Sequence, residues 1–239
     1  MSTLLVALSG PEGMVVASDS RGTFGDPRGV TAQNDSQKKL YVVSKYAAIL
    51  TAGAGELGAS IMTEIQTAIR GLEGITPIQQ AVHTLVRQKY QQWFPQFAIQ
   101  ELPNASAPVR PDLALLCGGF DVDSSGQPTQ QQVFQLVSQM DFAPMLHNYG
   151  FALCGIAQYA LYLLNRLYRR EALVEQLKSL AAYVITETAS QDGKVGGPVQ
   201  MAVITKEAGC VQILASELGE ILKKNEARSE SLKDLFYKA

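Results

Sequence analysis

The apolar positions of this chain change period in blocks, and each block predicts an element. Residues 3–8 (TLLVAL) and 13–18 (GMVVAS) are short apolar runs of strand length. They flank Ser9-Gly10-Pro11-Glu12-Gly13, whose Gly and Pro supply turn angles, so the stretch reads as strand–turn–strand. Residues 40–43 and 47–52 form a second such pair around the polar Ser44-Lys45. The period then becomes helical: from 58 to about 70, Ile61, Ile65 and Ile69 recur every fourth residue and share one face. Thr76-Pro77-Ile78-Gln79 predicts a second helix start, with Thr76 as cap, Pro77 in the first turn and Gln79 closing a capping box. Val82, Leu85, Val86 and Trp93 supply its apolar face. A proline-bearing stretch at about 95–111 reads as an irregular insertion. Strands are expected at 112–120 and 131–137 around the turn 123–126, helices at about 156–168 and 171–190, and a closing hairpin of 199–205 and 211–214 around 206–209. From about 217 the chain becomes a charged tail, a helix or a frayed end.

Strands grouped apart from helix pairs argue against βαβ units and for α+β layering. Two mostly antiparallel sheets, each covered outside by a helix pair, bury every apolar face. The predicted fold is a four-layer αββα sandwich in one domain spanning 1–239.

Composition narrows the function. The 239 residues are 46% hydrophobic and 18% charged, which excludes extensive disorder and leaves material for a large core. Lys and Arg number 20 against 22 Asp and Glu, so no basic excess points to nucleic acid. No apolar run approaches the roughly 18 residues of a membrane span, and the start, MSTLLVALSG, lacks a basic leader region. Cys117, Cys154 and Cys210, odd in number and set among apolar neighbours, read as free thiols of a reducing compartment. The expectation is a soluble cytoplasmic protein.

Three motifs invite chemistry. Gly53-Ala54-Gly55-Glu56-Leu57-Gly58 matches a dinucleotide phosphate loop, but no second parallel strand follows it. It reads better as a turn where backbone comes close to something other than phosphate. Asp121–Gly126 imitates the start of a calcium loop, but its twelfth position is Gln132, so a hairpin turn is preferred. Thr3 opens the first strand, Asp19-Ser20-Arg21 ends the second and Lys39 begins the third; elements of this kind can converge at one end of a sheet, though singly they also read as a strand-end Thr, a surface Asp–Arg pair and an exposed Lys.

The stretches STLLVAL, GMVVASDSRGT, KKLYVV, ILTAGAGELG, LALLCGGFD, ALCGIAQYALYLL and QDGKVGGPVQMAVIT, taken in order, resemble the β-type subunits of proteasomes, N-terminal nucleophile hydrolases, and within them the bacterial Anbu-like branch. The resemblance implies the αββα fold and a threonine-type endopeptidase needing no cofactor or metal. It implies Thr3 as nucleophile, sixteen residues before Asp19, with Arg21 beside that aspartate. Lys39 matches the family's catalytic lysine, Gly53 the glycine whose N–H faces the oxyanion, and Asp192 the second aspartate. The resemblance further implies peptide or unfolded-protein substrates and a homo-oligomeric ring or coil, and leaves open whether an unfoldase partner feeds it. Leu161, Tyr162, Leu164 and Tyr168 are candidates for subunit packing or for ordinary core, and residues 21–31 with Tyr46 are expected to shape the cleavage pocket.

A Thr hydroxyl is a poor nucleophile, and a free α-amine on the same residue, with pKa about 7.7–8.0, can take its proton. Thr3 is preceded by Met1 and Ser2, so it requires processing; the alternative nucleophile is Ser2. A one-residue shift along a strand reverses the face, so the two exclude each other. Two family serines are replaced here, by Gly155 and Val195. That loss implies weak or altered activity, and leaves a catalytically inactive assembly subunit as the alternative.

Overall fold

A computed structural model describes residues 3–26, 29–95 and 110–237. Most of the 95–111 insertion, and Ser2, lie outside the described residues.

The chain begins with β1 (Leu4–Ser9) and β2 (Gly13–Ser18), antiparallel with Leu5 opposite Ser18. Both strands are buried on both faces, which is why they read as continuous apolar runs. Leu5, Ala7, Met14 and Val16 face one core, while Leu4, Val6, Leu8, Val15 and Ala17 face another. A hairpin follows, β3 (Gly22–Asp26) with β4 (Gly29–Asn34), standing outside the two main sheets. The sequence pattern did not show it, because neither arm carries an apolar alternation.

Then come β5 (Leu40–Ser44), β6 (Ala47–Gly53), α1 (Gly55–Ala68), α2 (Ile75–Trp93), β7 (Leu113–Val122) and β8 (Pro128–Val137). The short β9 (Met145–Leu146) and β10 (Phe151–Gly155) lead to α3 (Gln158–Leu167) and α4 (Val174–Gln191). The closing elements are β11 (Gln200–Thr205), β12 (Gly209–Gln212) and α5 (Ala215–Tyr237).

One sheet runs β10-β1-β2-β11-β12 and the other β5-β6-β7-β8-β9, with every pairing antiparallel. Leu5, Ala7, Met14 and Val16 meet Leu50, Ala52, Ala114 and Leu116 between the sheets. Outside the first sheet lie α3, α4 and α5, with Leu164, Leu177, Ala181, Ile185 and Leu218 packed inward. Outside the second lie α1 and α2, with Ile61, Ile65, Ile69, Val82 and Val86 buried. The expected αββα sandwich is what forms.

Local details differ from the sequence pattern. The second helix is not capped by Thr76: Gly74 precedes it, and Asp121 of β7 accepts from both the Thr76 N–H and its hydroxyl at 2.8 Å. A remote carboxylate does the work assigned to a local box. The last strand is set earlier than 211–214, beginning at Gly209, where φ is +74°. The strand β10 was missed as well; its pairing with β1 forces the chain to approach closely at Gly155. There φ is +93° and a Cβ would overlap the Thr3 carbonyl oxygen, so no side chain fits. The tail is helical to Tyr237, held to α4 by Ser179–Asn225 and Lys178–Glu217 hydrogen bonds. The three cysteines are unpaired thiols, and burial pushes them up to about 12, 11 and 12 for Cys117, Cys154 and Cys210.

Candidate active site

The site sits at one end of the sandwich and draws from both sheets. Thr3 is 3% exposed and precedes β1; its position continues the face of Leu5 and Ala7, which points between the sheets. Asp19 follows β2 and is fully buried. Its Oδ1 accepts from the Leu4 N–H at 3.0 Å, and its Oδ2 from the N–H groups of Arg21 and Gly196, each at 3.1 Å. Backbone donors from three segments therefore hold this carboxylate in one orientation.

Lys39 comes from the other sheet, at the entry to β5, and is 2% exposed. Its Nζ donates to Thr3 Oγ1 at 2.7 Å, to Asp19 Oδ1 at 2.9 Å and to the Arg21 carbonyl at 2.6 Å. Three acceptors match the three protons of an ammonium. Burial pushes Lys39 below the ordinary lysine value, while the Asp19 carboxylate opposes that shift. A buried cation with a lowered proton affinity, touching a hydroxyl, is suited to stabilise an alkoxide on that oxygen.

Arg21 lies outside this inner group. Its guanidinium grips Asp35 through Nε and Nη2, both at 2.7 Å, and donates through Nη1 to the Gly193 carbonyl at 3.0 Å. Arg21 holds the Asp35 carboxyl below its usual range. The arginine thus braces the 193–197 turn that delivers Gly196 to Asp19. Asp192 acts on the same turn: its Oδ1 accepts from the Lys194 N–H at 2.9 Å, and its carbonyl accepts from Val195 at 3.0 Å. Val195 itself is fully buried and faces the helix-side core.

Beside Thr3 lies a small cavity, with room for about one water, lined by Gln37, Lys39, Thr51, Gly53, Gly55 and Leu113 among others. Gly53 has φ +115°, and a Cβ there would overlap the Asp112 carbonyl, so only glycine is accommodated. The glycine motif is therefore a close-approach turn at this cavity. Tyr46, expected at the pocket, instead fills the inter-sheet core, and Gln37 and Thr51 take the wall. Sequence reasoning missed Gln37, Asp35 and Gln200, whose roles arise from contacts between segments far apart in the chain.

No protein-family model matches the chain. Proteasome subunit beta of Streptomyces griseus is 23% identical over 199 residues, which is 82% of this chain and 64% of that protein. Among solved structures, Anbu (ancestral beta-subunit) from Yersinia bercovieri aligns with a TM-score of 0.74 at 15% identity, covering 99% of this chain and 97% of that one. The helical assembly of the Anbu complex from Pseudomonas aeruginosa gives 0.74 at 18%, covering 99% and 96%. The fold is that of a proteasome β-type, Anbu-like N-terminal nucleophile hydrolase. The candidate site lies at the end of this sandwich where β1 begins. Among the described residues no helix is long and apolar enough to cross a membrane.

Proposed function

We propose that this chain is a threonine-type peptidase subunit of a proteasome-like homo-oligomer. The observation that carries the reading is the Lys39 ammonium bridging Thr3 Oγ1 and Asp19 Oδ1 in a buried site. Once Met1 and Ser2 are removed, the Thr3 α-amine becomes the base. The hydroxyl proton passes to that amine as Oγ1 bonds to the peptide carbonyl carbon. Lys39 stabilises the developing negative charge on Oγ1, and in this reading the Gly53 N–H donates to the oxyanion. The protonated amine then gives its proton to the leaving nitrogen, the peptide bond breaks, and an ester to Thr3 remains. Water activated by the same amine hydrolyses the ester and restores the hydroxyl.

The face shared by Thr3, Leu5 and Ala7 favours Thr3 over Ser2 as the nucleophile. Assembly is supported by the helical Anbu complex and by α3, whose outer positions Leu161 and Tyr162 are 45% and 58% exposed, whereas Leu164 is core and the Tyr168 hydroxyl binds the Ser9 carbonyl. Peptide or unfolded-protein substrates, an unfoldase partner and a cytoplasmic location belong to the same reading.

A second reading, an inactive assembly subunit, is favoured by Gly155 and Val195, which place no hydroxyl where the resembling family has serines. Intact mass of the purified protein, alone and after a peptide epoxyketone, decides. A chain starting at Thr3 with one adduct is expected; the same adduct on a chain starting at Ser2 moves the nucleophile by one residue. An unmodified chain retaining Met1 would falsify the peptidase and leave the assembly subunit.

A further inference from the structure

We infer that Gln200 is a positioning residue for Lys39: its carboxamide ties the lysine-bearing segment of the second sheet to the first sheet, which holds Thr3 and Asp19. This rests on the reading of Lys39 given above. Gln200 opens β11 and lies directly opposite Ser18, the residue before Asp19. Its side chain crosses between the sheets. One oxygen, Oε1, accepts from the Lys39 N–H at 3.0 Å and the Leu40 N–H at 3.1 Å. The amide nitrogen donates to the Gln37 carbonyl at 2.6 Å. A single side chain therefore satisfies three backbone groups within the segment 37–40.

The need for it follows from topology. The strand β5 is at the edge of its sheet, and among the described residues β6 is its only sheet neighbour. The Lys39 carbonyl is bonded toward β6, by the Thr51 N–H at 2.9 Å. The N–H of Leu40 therefore points the other way, out of the ladder, where an edge leaves donors unmatched. Gln200 supplies the acceptor, and with it a fixed distance from the Lys39 backbone to β2. The Lys39 side chain has four rotatable methylenes, and lysine is a flexible point charge. Its 2.7 Å and 2.9 Å contacts to Thr3 and Asp19 hold only if its backbone is held. A misplacement of about 1 Å is enough to cost roughly a hundredfold in rate. Asp19 anchors the head of the lysine; Gln200 anchors its root. The same bond to Gln37 sets the residue whose side chain walls the cavity beside Thr3.

The test compares the full-length parent with Gln200→Leu and Gln200→Glu. Two quantities are read: the rate of Thr3 acylation by a peptide β-lactone across pH, and the titration of Lys39 by NMR of ¹³Cε-labelled lysine. The charged groups facing Lys39 are Asp19, Arg21 and Asp35, and Gln200→Leu leaves these unchanged, whereas Gln200→Glu adds one carboxylate. Gln200→Leu is expected to slow acylation at least tenfold and to move the Lys39 titration upward, because the released lysine gains water. Gln200→Glu keeps the acceptor for the two N–H groups but loses the donor to the Gln37 carbonyl, and its rate is expected to fall between the parent and Gln200→Leu. Thermal melts accompany both, and Gln200→Asn replaces Gln200→Leu if that chain does not fold. Acylation within twofold of the parent and an unmoved Lys39 titration in Gln200→Leu overturn the inference. So does a slowed rate with an unmoved titration and a lowered melting temperature, the signature of a purely structural tie. If the parent does not react at all but its Lys39 titration still moves in Gln200→Leu, the peptidase reading fails and the positioning role stands.

Discussion

Two aspartates, at different places in the sandwich, do similar hydrogen-bonding work with different results. Asp121, half-buried on β7, accepts from the N–H and hydroxyl of Thr76 and from the Gln132 side-chain amide. All three donors are neutral, and the outcome is a helix cap. Asp19, fully buried after β2, accepts from three backbone N–H groups and additionally from the Lys39 ammonium. That one charged donor also touches a hydroxyl, Thr3 Oγ1. A well-satisfied carboxylate by itself makes structure. The same carboxylate becomes part of a candidate reactive site when it holds a buried cation against a nucleophile.

The comparison can be broken in order of expected effect. Replacing Asp19 by Ala strands a buried ammonium with only Thr3 Oγ1 and the Arg21 carbonyl as partners. The expected cost is about 3–5 kcal/mol of stability, since removing one member of a buried pair leaves the other uncompensated. Chemical denaturation measures it, and a loss below about 1 kcal/mol would place Lys39 in water. Lys39→Met is expected to do the reverse. Asp19 keeps its backbone donors, so stability falls little, while β-lactone acylation drops about 100- to 10,000-fold. Retained acylation in Lys39→Met would remove the lysine from the chemistry.

The pH dependence sharpens the same point. Burial lowers Lys39 in the folded protein, so between that value and the ordinary lysine value of about 10.4 the unfolded chain binds more protons. Stability of the parent therefore rises with pH across that window, and Lys39→Met lacks the rise. The acylation rate should be bell-shaped, rising as the Thr3 amine loses its proton and falling again below about pH 10.4 as Lys39 loses its own. A rate that still climbs past that value would contradict the role of the ammonium.

Asp121→Ala should cost about 1–2 kcal/mol through the lost cap of α2 and leave acylation unchanged. Any large change in rate would mean that the two aspartates are coupled. The smallest effect is expected from Glu12→Ala. Glu12 sits in the first turn and accepts from the Val174 N–H at the start of α4, at 3.0 Å. Its loss should lower Tm by less than about 3 °C, with no change at the site.

Much of this was legible in the chain. The runs 3–8, 13–18 and 47–52 announced the central strands, because both their faces are buried and continuous apolar residues are needed there. Ile61, Ile65 and Ile69 announced α1 for the equivalent helical reason. Elements with one short or polar face escaped: β3 and β4 alternate too weakly to read, and β10 is a five-residue strand beside a glycine. The cap of α2 was misassigned to Thr76 because the true acceptor lies 45 residues away.

By itself, the sequence determined the layer order and the residue types at the site. The period of apolar positions is a local property, and a strand or helix must bury the face it makes. It also placed Thr3, Asp19, Lys39 and Gly53 at strand ends, where side chains are free to meet. The tertiary structure alone decided that they do meet. Thr3 and Asp19 belong to one sheet and Lys39 and Gly53 to the other, so their distances depend on how the two sheets are registered across the inter-sheet core. That register is set by packing and by a few polar ties such as Gln200 to the segment 37–40, none of which leaves a periodic trace in the chain.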